Sequence, residues 1–171
     1  MSEGYLLDTN IASIAWDGDD PRHQIVRERL EELTDAPIAI CSISYGEVTY
    51  GLQVSPNADL KRQQMVRAAM GSYFIWHIDR HTAEIWANLR AGLFKQFSPK
   101  DARGRLMMKR PEDLLDDTTS KVLGIQENDL WIVSVAIQYN LHFITGDKMP
   151  RILEIAAAVE RYTDATVWTF P

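Results

Sequence analysis

Four acidic residues stand where chemistry is expected of them. Asp8 closes a short apolar run, Gly4-Tyr5-Leu6-Leu7, and Asp147 follows another, Leu141 to Thr145. Asp129 opens the segment Leu130-Trp131-Ile132-Val133-Ser134-Val135-Ala136-Ile137, too apolar to be anything but buried. Glu47 lies among Ile43, Val48 and Leu52 in a segment of helical character. Like charges brought together raise one another's pKa, and a divalent cation removes that penalty. A site built of carboxylates, without His or Cys, suits a hard, oxygen-seeking ion such as Mg²⁺ or Mn²⁺. The chemistry that follows is metal-assisted phosphodiester hydrolysis.

Each acid also has a plainer reading. Asp8 is a good N-cap for a helix beginning at Thr9. Ser44-Tyr45-Gly46-Glu47 matches a capping box, which fails if the helix is capped from Ser42. Asp129, next to Asn128, suits a helix N-terminus by its charge. Gly146-Asp147 reads as a turn. Taken singly each plain reading suffices; four acids on one predicted edge favour a site.

The elements that must position them alternate. Strands are expected near residues 4–7, 37–41, 74–78, 141–145 and 165–170. Helices are expected at 9–16, from Pro21 (capped by Asp20) to about 33, from Ser42 or Ser44 to 54, and from Ala58 to 70, after the break Ser55-Pro56-Asn57. Three more are expected at 79–97, at 128–139 and after Pro150. Ile85, Trp86, Leu89 and Leu93 give the long fifth helix an apolar stripe. This alternation implies an α/β class: a mainly parallel sheet covered on both faces, hence three layers, α/β/α. In such sheets ligands sit at the carboxyl ends of the strands, where Asp8 and Asp147 fall. With no composition shift along the chain, 1–171 is expected to be a single domain. The irregular stretch 98–124 is expected to be an insertion within it.

At 171 residues the chain is long enough for a substantial core. With 46% hydrophobic and 25% charged residues it has the composition of a soluble globular protein. No apolar run approaches membrane-spanning length and no signal peptide is evident, so a cytoplasmic protein with no membrane role is expected. One cysteine, Cys41, excludes an internal disulfide and a multi-cysteine zinc site. The net charge of −6 argues against coating nucleic acid by charge alone. Lys100, Arg103, Arg105, Lys109 and Arg110 form a basic run with only Asp101 against it, followed by Glu112, Asp113, Asp116 and Asp117. The plain reading is a solvated loop; the sharper one is that Lys100, Arg103 and Arg105 grip RNA phosphates. His77 and His81 have zinc-like spacing but lack a third ligand and fall on different elements. The five tryptophans read as core or interface.

The motifs themselves resemble a known family. Leu6-Leu7-Asp8-Thr9-Asn10 resembles the opening of PIN-domain nucleases. Ile43-Ser44-Tyr45-Gly46-Glu47-Val48 resembles their second motif, Asn128-Asp129-Leu130-Trp131 their third, and Phe143-Ile144-Thr145-Gly146-Asp147 their fourth. Order and spacing fit the VapC-type toxins of toxin–antitoxin pairs, although Lys148-Met149-Pro150-Arg151 follows where that motif usually runs on to a phenylalanine. The resemblance implies a PIN-like α/β/α domain and a Mg²⁺- or Mn²⁺-dependent endoribonuclease acting on RNA. It also implies a cognate antitoxin and a homodimer. It implies that Asp8, Glu47, Asp129 and Asp147 are the catalytic and metal-binding acids. Thr9, Asn10, Asn128 and Thr145 orient them, a bound water or the substrate. The alternatives are a catalytically silent PIN-fold binding module and a PIN nuclease of RNA processing without toxicity.

Overall fold

The computed structural model describes residues 3–33, 35–55, 59–107, 110–116, 119 and 121–170. Pro56, Asn57, Ala58, Lys109 and Asp117, used above, lie outside the described residues. The chain forms two compact units. One comprises residues 1–78, 139–148 and 164–171, the other 79–138 and 149–163.

The first unit holds a five-stranded sheet: β1 (Tyr5–Leu7), β2 (Ile38–Cys41), β3 (Phe74–Trp76), β4 (His142–Thr145) and β5 (Ala165–Val167). Their order is β3-β2-β1-β4-β5 and every neighbouring pair is parallel. This is the expected α/β class with a parallel central sheet. Strands covered on both faces need apolar residues throughout, and Leu6, Leu7, Ile40, Cys41, Phe143 and Ile144 are all fully buried. Among the described residues four helices belong to this unit: α1 (Thr9–Trp16), α2 (His23–Glu31), α3 (Ser42–Val54) and α4 (Leu60–Met70). Ile11, Ile14, Val26, Leu30, Val48, Val66 and Met70 from these helices share one core with Leu7, Ile40 and Ile144. Truncating Leu7 to Ala at the centre of that core costs about 2–5 kcal/mol. The chain enters β1 through Gly4, where any Cβ would stand 2.8 Å from the Pro37 carbonyl oxygen.

Three boundaries depart from expectation for visible reasons. The second helix begins at His23 rather than Pro21, because the Asp20 carboxylate accepts from the Arg22 N–H at 2.8 Å and pairs with its guanidinium, closing a separate turn. Strand β3 stops at Trp76, leaving His77 outside it and exposed. Strand β5 stops at Val167, and the tail is then held by side chains. Arg29 donates to the Thr169 carbonyl and lies over the rings of Trp168 and Phe170 at 5.5 and 5.3 Å.

The second unit is helical: α5 (Arg80–Phe97), α6 (Glu127–Gln138) and α7 (Pro150–Val159). α5 buries Ile85, Leu89 and Leu93 of the stripe its periodicity predicts, together with Phe97, and leaves Trp86 half-buried. A Cβ at Gly92 would meet Ile155 at 2.9 Å and Val159 at 3.2 Å, so glycine there admits α7. Trp86 and Trp131, both half-buried, stack with centroids 4.6 Å apart. Among its described residues the stretch 98–124 contains one 3-10 turn (Pro111–Asp113) and two antiparallel bridges, Lys100 with Leu106 and Leu115 with Val122. Asp116 fixes it to α7 by an ion pair with Arg151 at 2.9 Å. Among the described residues no helix is long and apolar enough to cross a membrane.

Candidate active site

The strand order reverses between β1 and β4: β1 leads outward to β2 and β3, and β4 leads the other way to β5. A parallel sheet leaves a crevice at such a switch point, outside the carboxyl ends of the strands. Asp8 is the first residue beyond β1. Leu7 pairs with Ile144, so Asp8 comes opposite Thr145, the last residue of β4.

Asp8 is 3% exposed. Its carboxylate accepts from the Thr9 N–H at 2.7 Å, which makes it the N-cap of α1, and from the Thr145 hydroxyl at 2.6 Å. The capping reading therefore holds for this residue, which stands at the same time at the switch point of the sheet. Thr145 Oγ1 in turn accepts from the Asp147 N–H at 3.0 Å. Asn10, in the first turn of α1, donates through Nδ2 to Asp147 Oδ2 at 2.8 Å and accepts from the Gly146 N–H at 3.1 Å. A Cβ at Gly146 would press on the Asn10 side chain at 3.4 Å, so glycine lets the β4 loop close on α1. The Thr9 hydroxyl donates to Glu47 Oε2. Two consecutive residues of α1, Thr9 and Asn10, thus tie two carboxylates to the end of β1.

Glu47 reaches this network because α3 starts at Ser42, with Cys41 as its N-cap. It stands in the second turn, and the Ser44–Glu47 capping box does not form; Ser44 is buried beside the Cys41 thiol at 3.6 Å.

Burial pushes the Asp8 carboxyl up to about 6. The bonds from Thr145 and Thr9 pull it down, and the charges of Asp147 and Glu47 push it up again. At neutral pH Asp8 is ionised against this penalty, and a neighbouring cation removes it. The donor chemistry fits a hard divalent ion, being carboxylates with hydroxyl and amide groups around them. Among the described residues no three His, Cys, Asp or Glu side chains are already gathered around one ion-sized point. That is compatible with Mg²⁺, which keeps several waters and takes only one or two carboxylates.

The remaining expected residues belong to the second unit. Asn128 and Asp129 lie half-buried in the first turn of α6, in the second unit. α6 begins at Glu127, so neither is its N-cap. Lys100, Arg103 and Arg105 are exposed in that same unit. Asp101 closes their turn, accepting from the Arg103 and Arg105 N–H groups at 2.8 and 2.9 Å and pairing with the Arg105 guanidinium at 2.9 Å. The charge of Arg105 is thus matched locally. His81 pairs with Glu84 at 3.6 Å.

One feature has no motif to announce it. A cleft of about 240 Å³ opens beside Thr9 and Glu47, walled by α1, α3 and α4. Its lining residues, Ser13, Asp17, Leu52, Asp59 and Arg62 among them, come from three separate helices, and no local pattern links them.

The PIN domain family profile matches residues 5–156, all but the two ends of the chain. The chain belongs to the PIN-domain family. Three solved structures place it among its relatives. VapBC2 from Rickettsia felis, bound to a DNA fragment from its promoter, is similar with TM-score 0.62 and 25% identity, over 86% of this chain and 92% of that one. VapBC-1 from nontypeable Haemophilus influenzae gives TM-score 0.62 and 19% identity over 96% and 97%. FitAcB from Neisseria gonorrhoeae gives 0.58 and 18% over 86% and 92%. At such identities the last two bear on the PIN fold alone. No curated protein sequence matches the chain.

Proposed function

We propose that this PIN domain is a divalent-metal-dependent endoribonuclease and the toxin half of a toxin–antitoxin pair. The observation that carries the reading is Asp8: a buried carboxylate at the sheet's switch point, linked through Thr145 to the Asp147 backbone and through Thr9 to Glu47. In this reading Asp8, Glu47 and Asp147 hold Mg²⁺ or Mn²⁺, with Asp129 added on the strength of its motif alone. Such an ion, when bound, supplies positive charge to the phosphodiester and acidifies its water ligands. The protein's own part is orientation. Thr145 fixes the Asp8 carboxylate, Asn10 fixes Asp147, and Thr9 fixes Glu47. Asn128 precedes Asp129 in the same orienting role.

The similar structures are VapBC proteins and FitAcB, one of them in complex with promoter DNA. By that likeness we assign this chain a cognate antitoxin; from its motifs we infer a homodimeric state, and from its composition a cytoplasmic setting, with residues 1–171 working as one PIN-like domain.

The test is direct. The purified chain, free of antitoxin, is incubated with total cellular RNA and Mg²⁺ or Mn²⁺. Parallel samples carry EDTA, Asp8→Asn or Asp129→Asn. Cleavage of discrete RNA species, lost in all three controls, is expected. No cleavage by folded, metal-loaded protein would overturn the reading in favour of a silent binding module.

A further inference from the structure

We infer that the cleft beside Glu47 is a subsite for one nucleobase of the substrate strand, and that it selects bases carrying an exocyclic amino group. The inference rests on the nuclease reading for its substrate class, but its observations are separate.

Position comes first. Thr9 and Glu47, which are hydrogen-bonded to each other, form one wall of the cleft. Anything bound there touches a proposed catalytic acid, so it belongs to the nucleotide next to the scissile phosphate. Size comes second. About 240 Å³ is smaller than a drug-sized pocket and suits a single planar ring system. Surface chemistry comes third. Val48, Leu52 and Val66 supply apolar lining for the faces of a base. Arg62 lines the cleft with its guanidinium held by two bonds to Asp17, through Nε at 3.1 Å and through Nη2. A guanidinium plane fixed in this way is a stacking surface for an unpaired base.

The polar inventory gives the selectivity. Asp17, Glu47 and Asp59 bring carboxylate acceptors to the lining. Against these three carboxylates stands one guanidinium, Arg62, which gives Nε and Nη2 to Asp17, and Gln63 gives its amide nitrogen to the Leu52 carbonyl at 3.0 Å. A lining in which carboxylates outnumber cations favours a ligand edge that donates. Guanine, adenine and cytosine each carry an amino group with two N–H donors; uracil has carbonyl oxygens in its place and only its N3–H left to donate. Uracil is therefore the base this cleft binds least.

Two substitutions test this without touching Asp8, Glu47 or their tethers. Asp59→Asn keeps a good cap for α4, where Asp59 accepts from the Lys61 N–H at 2.9 Å, but replaces a pure acceptor by an amide. Leu52→Trp fills the cleft. The probes are short single-stranded RNAs of uridines with one central A, C, G or U. Wild type is expected to cut next to the amino-bearing base with kcat/KM about tenfold above the all-uridine strand, the value of one good hydrogen bond. Asp59→Asn flattens that ratio, and Leu52→Trp lowers kcat/KM on the amino-bearing strands by about tenfold. Equal base ratios in wild type and both variants would overturn the subsite, leaving the cleft to a side chain of a protein partner.

Binding of the same RNAs to Asp8→Asn protein in EDTA, followed by fluorescence anisotropy, separates this inference from the nuclease reading. A preference for amino-bearing strands that Asp59→Asn removes upholds the subsite even if wild type cleaves nothing. Equal Kd values across the four strands overturn it even if wild type is an active nuclease.

Discussion

Asp8 and Asp79 both stand just before a helix and both accept its first N–H groups, yet they end at opposite ends of the carboxylate range. Asp79 is exposed and caps α5 through a full capping box with Thr82, also accepting from Gln138 Nε2 at 2.7 Å. The hydrogen bonds from the Thr82 N–H and Gln138 hold its carboxyl down at about 2. Asp8 is buried, its neighbouring charges are Asp147 and Glu47, and it sits at about 6. A carboxylate that serves only to cap is placed in water and given as many donors as possible. A carboxylate that is sunk into a core beside two other acids destabilises the chain that carries it. Its retention there makes sense if a cation joins the group.

The widest separation of the two regions comes from single substitutions. Asp8→Asn keeps a competent helix cap and removes the buried charge. It should abolish RNA cleavage, by at least roughly a thousandfold. In metal-free buffer at pH 7.5 it should also leave stability unchanged or raise it, by up to about 3 kcal/mol at 1.4 kcal/mol per pKa unit. Asp79→Ala should do the reverse, lowering the melting temperature by a few degrees while cleavage stays within about twofold. Gel assays of RNA cleavage and thermal unfolding of both variants check this. An inactive Asp79→Ala, or an active Asp8→Asn, breaks the contrast.

The pH dependence of stability comes next, and the two residues act with opposite sign. The folded Asp8 pKa of about 6 lies above its ordinary 3.8. Its stability is therefore complete below 3.8 and is lost as pH rises to about 6. The Asp79 value of about 2 lies below 3.8, so its contribution is present above 3.8 and lost as pH falls toward 2. Urea unfolding of the metal-free chain should show stability declining between pH 4 and 6. Asp8→Asn should remove that decline and Asp79→Ala should not.

A smaller effect should follow from Thr145→Val, which takes away the hydroxyl that holds the Asp8 carboxyl down. The acid side of the pH–rate profile should move to higher pH, with kcat reduced about tenfold or more. An unmoved profile would remove Thr145 from the account. The smallest effect expected is from neutralising Lys100, Arg103 and Arg105 together. Because Asp101 already pairs with Arg105, RNA affinity should fall by less than about tenfold, with a shallower salt dependence.

Much of this was legible in the chain. Alternating apolar runs announced the parallel sheet, and Asp8, Glu47 and Asp147 were marked by their positions relative to those runs. What the sequence could not show was long-range. Whether Ser44 or an earlier residue begins α3 decides if Glu47 caps a helix or faces Thr9, and that depends on how β2 runs directly into α3. The Thr9–Glu47, Asn10–Asp147 and Thr145–Asp8 bonds span 38 and 137 positions and have no local signature. The cleft gathers Ser13, Leu52 and Arg62 from three helices, each ordinary by itself. At the other extreme, the α2 boundary and the end of β5 were misplaced because side chains, Asp20 and Arg29, took over bonds that backbone was expected to make.

The central claim is that the buried charge at Asp8 exists to be met by a cation, and thermal unfolding with and without Mn²⁺ at pH 7.5 tests it most directly. Mn²⁺ should raise the melting temperature of the wild-type chain, raise it less at pH 5, and leave Asp8→Asn unmoved. No shift in the wild type, or an equal shift in the variant, would contradict the account.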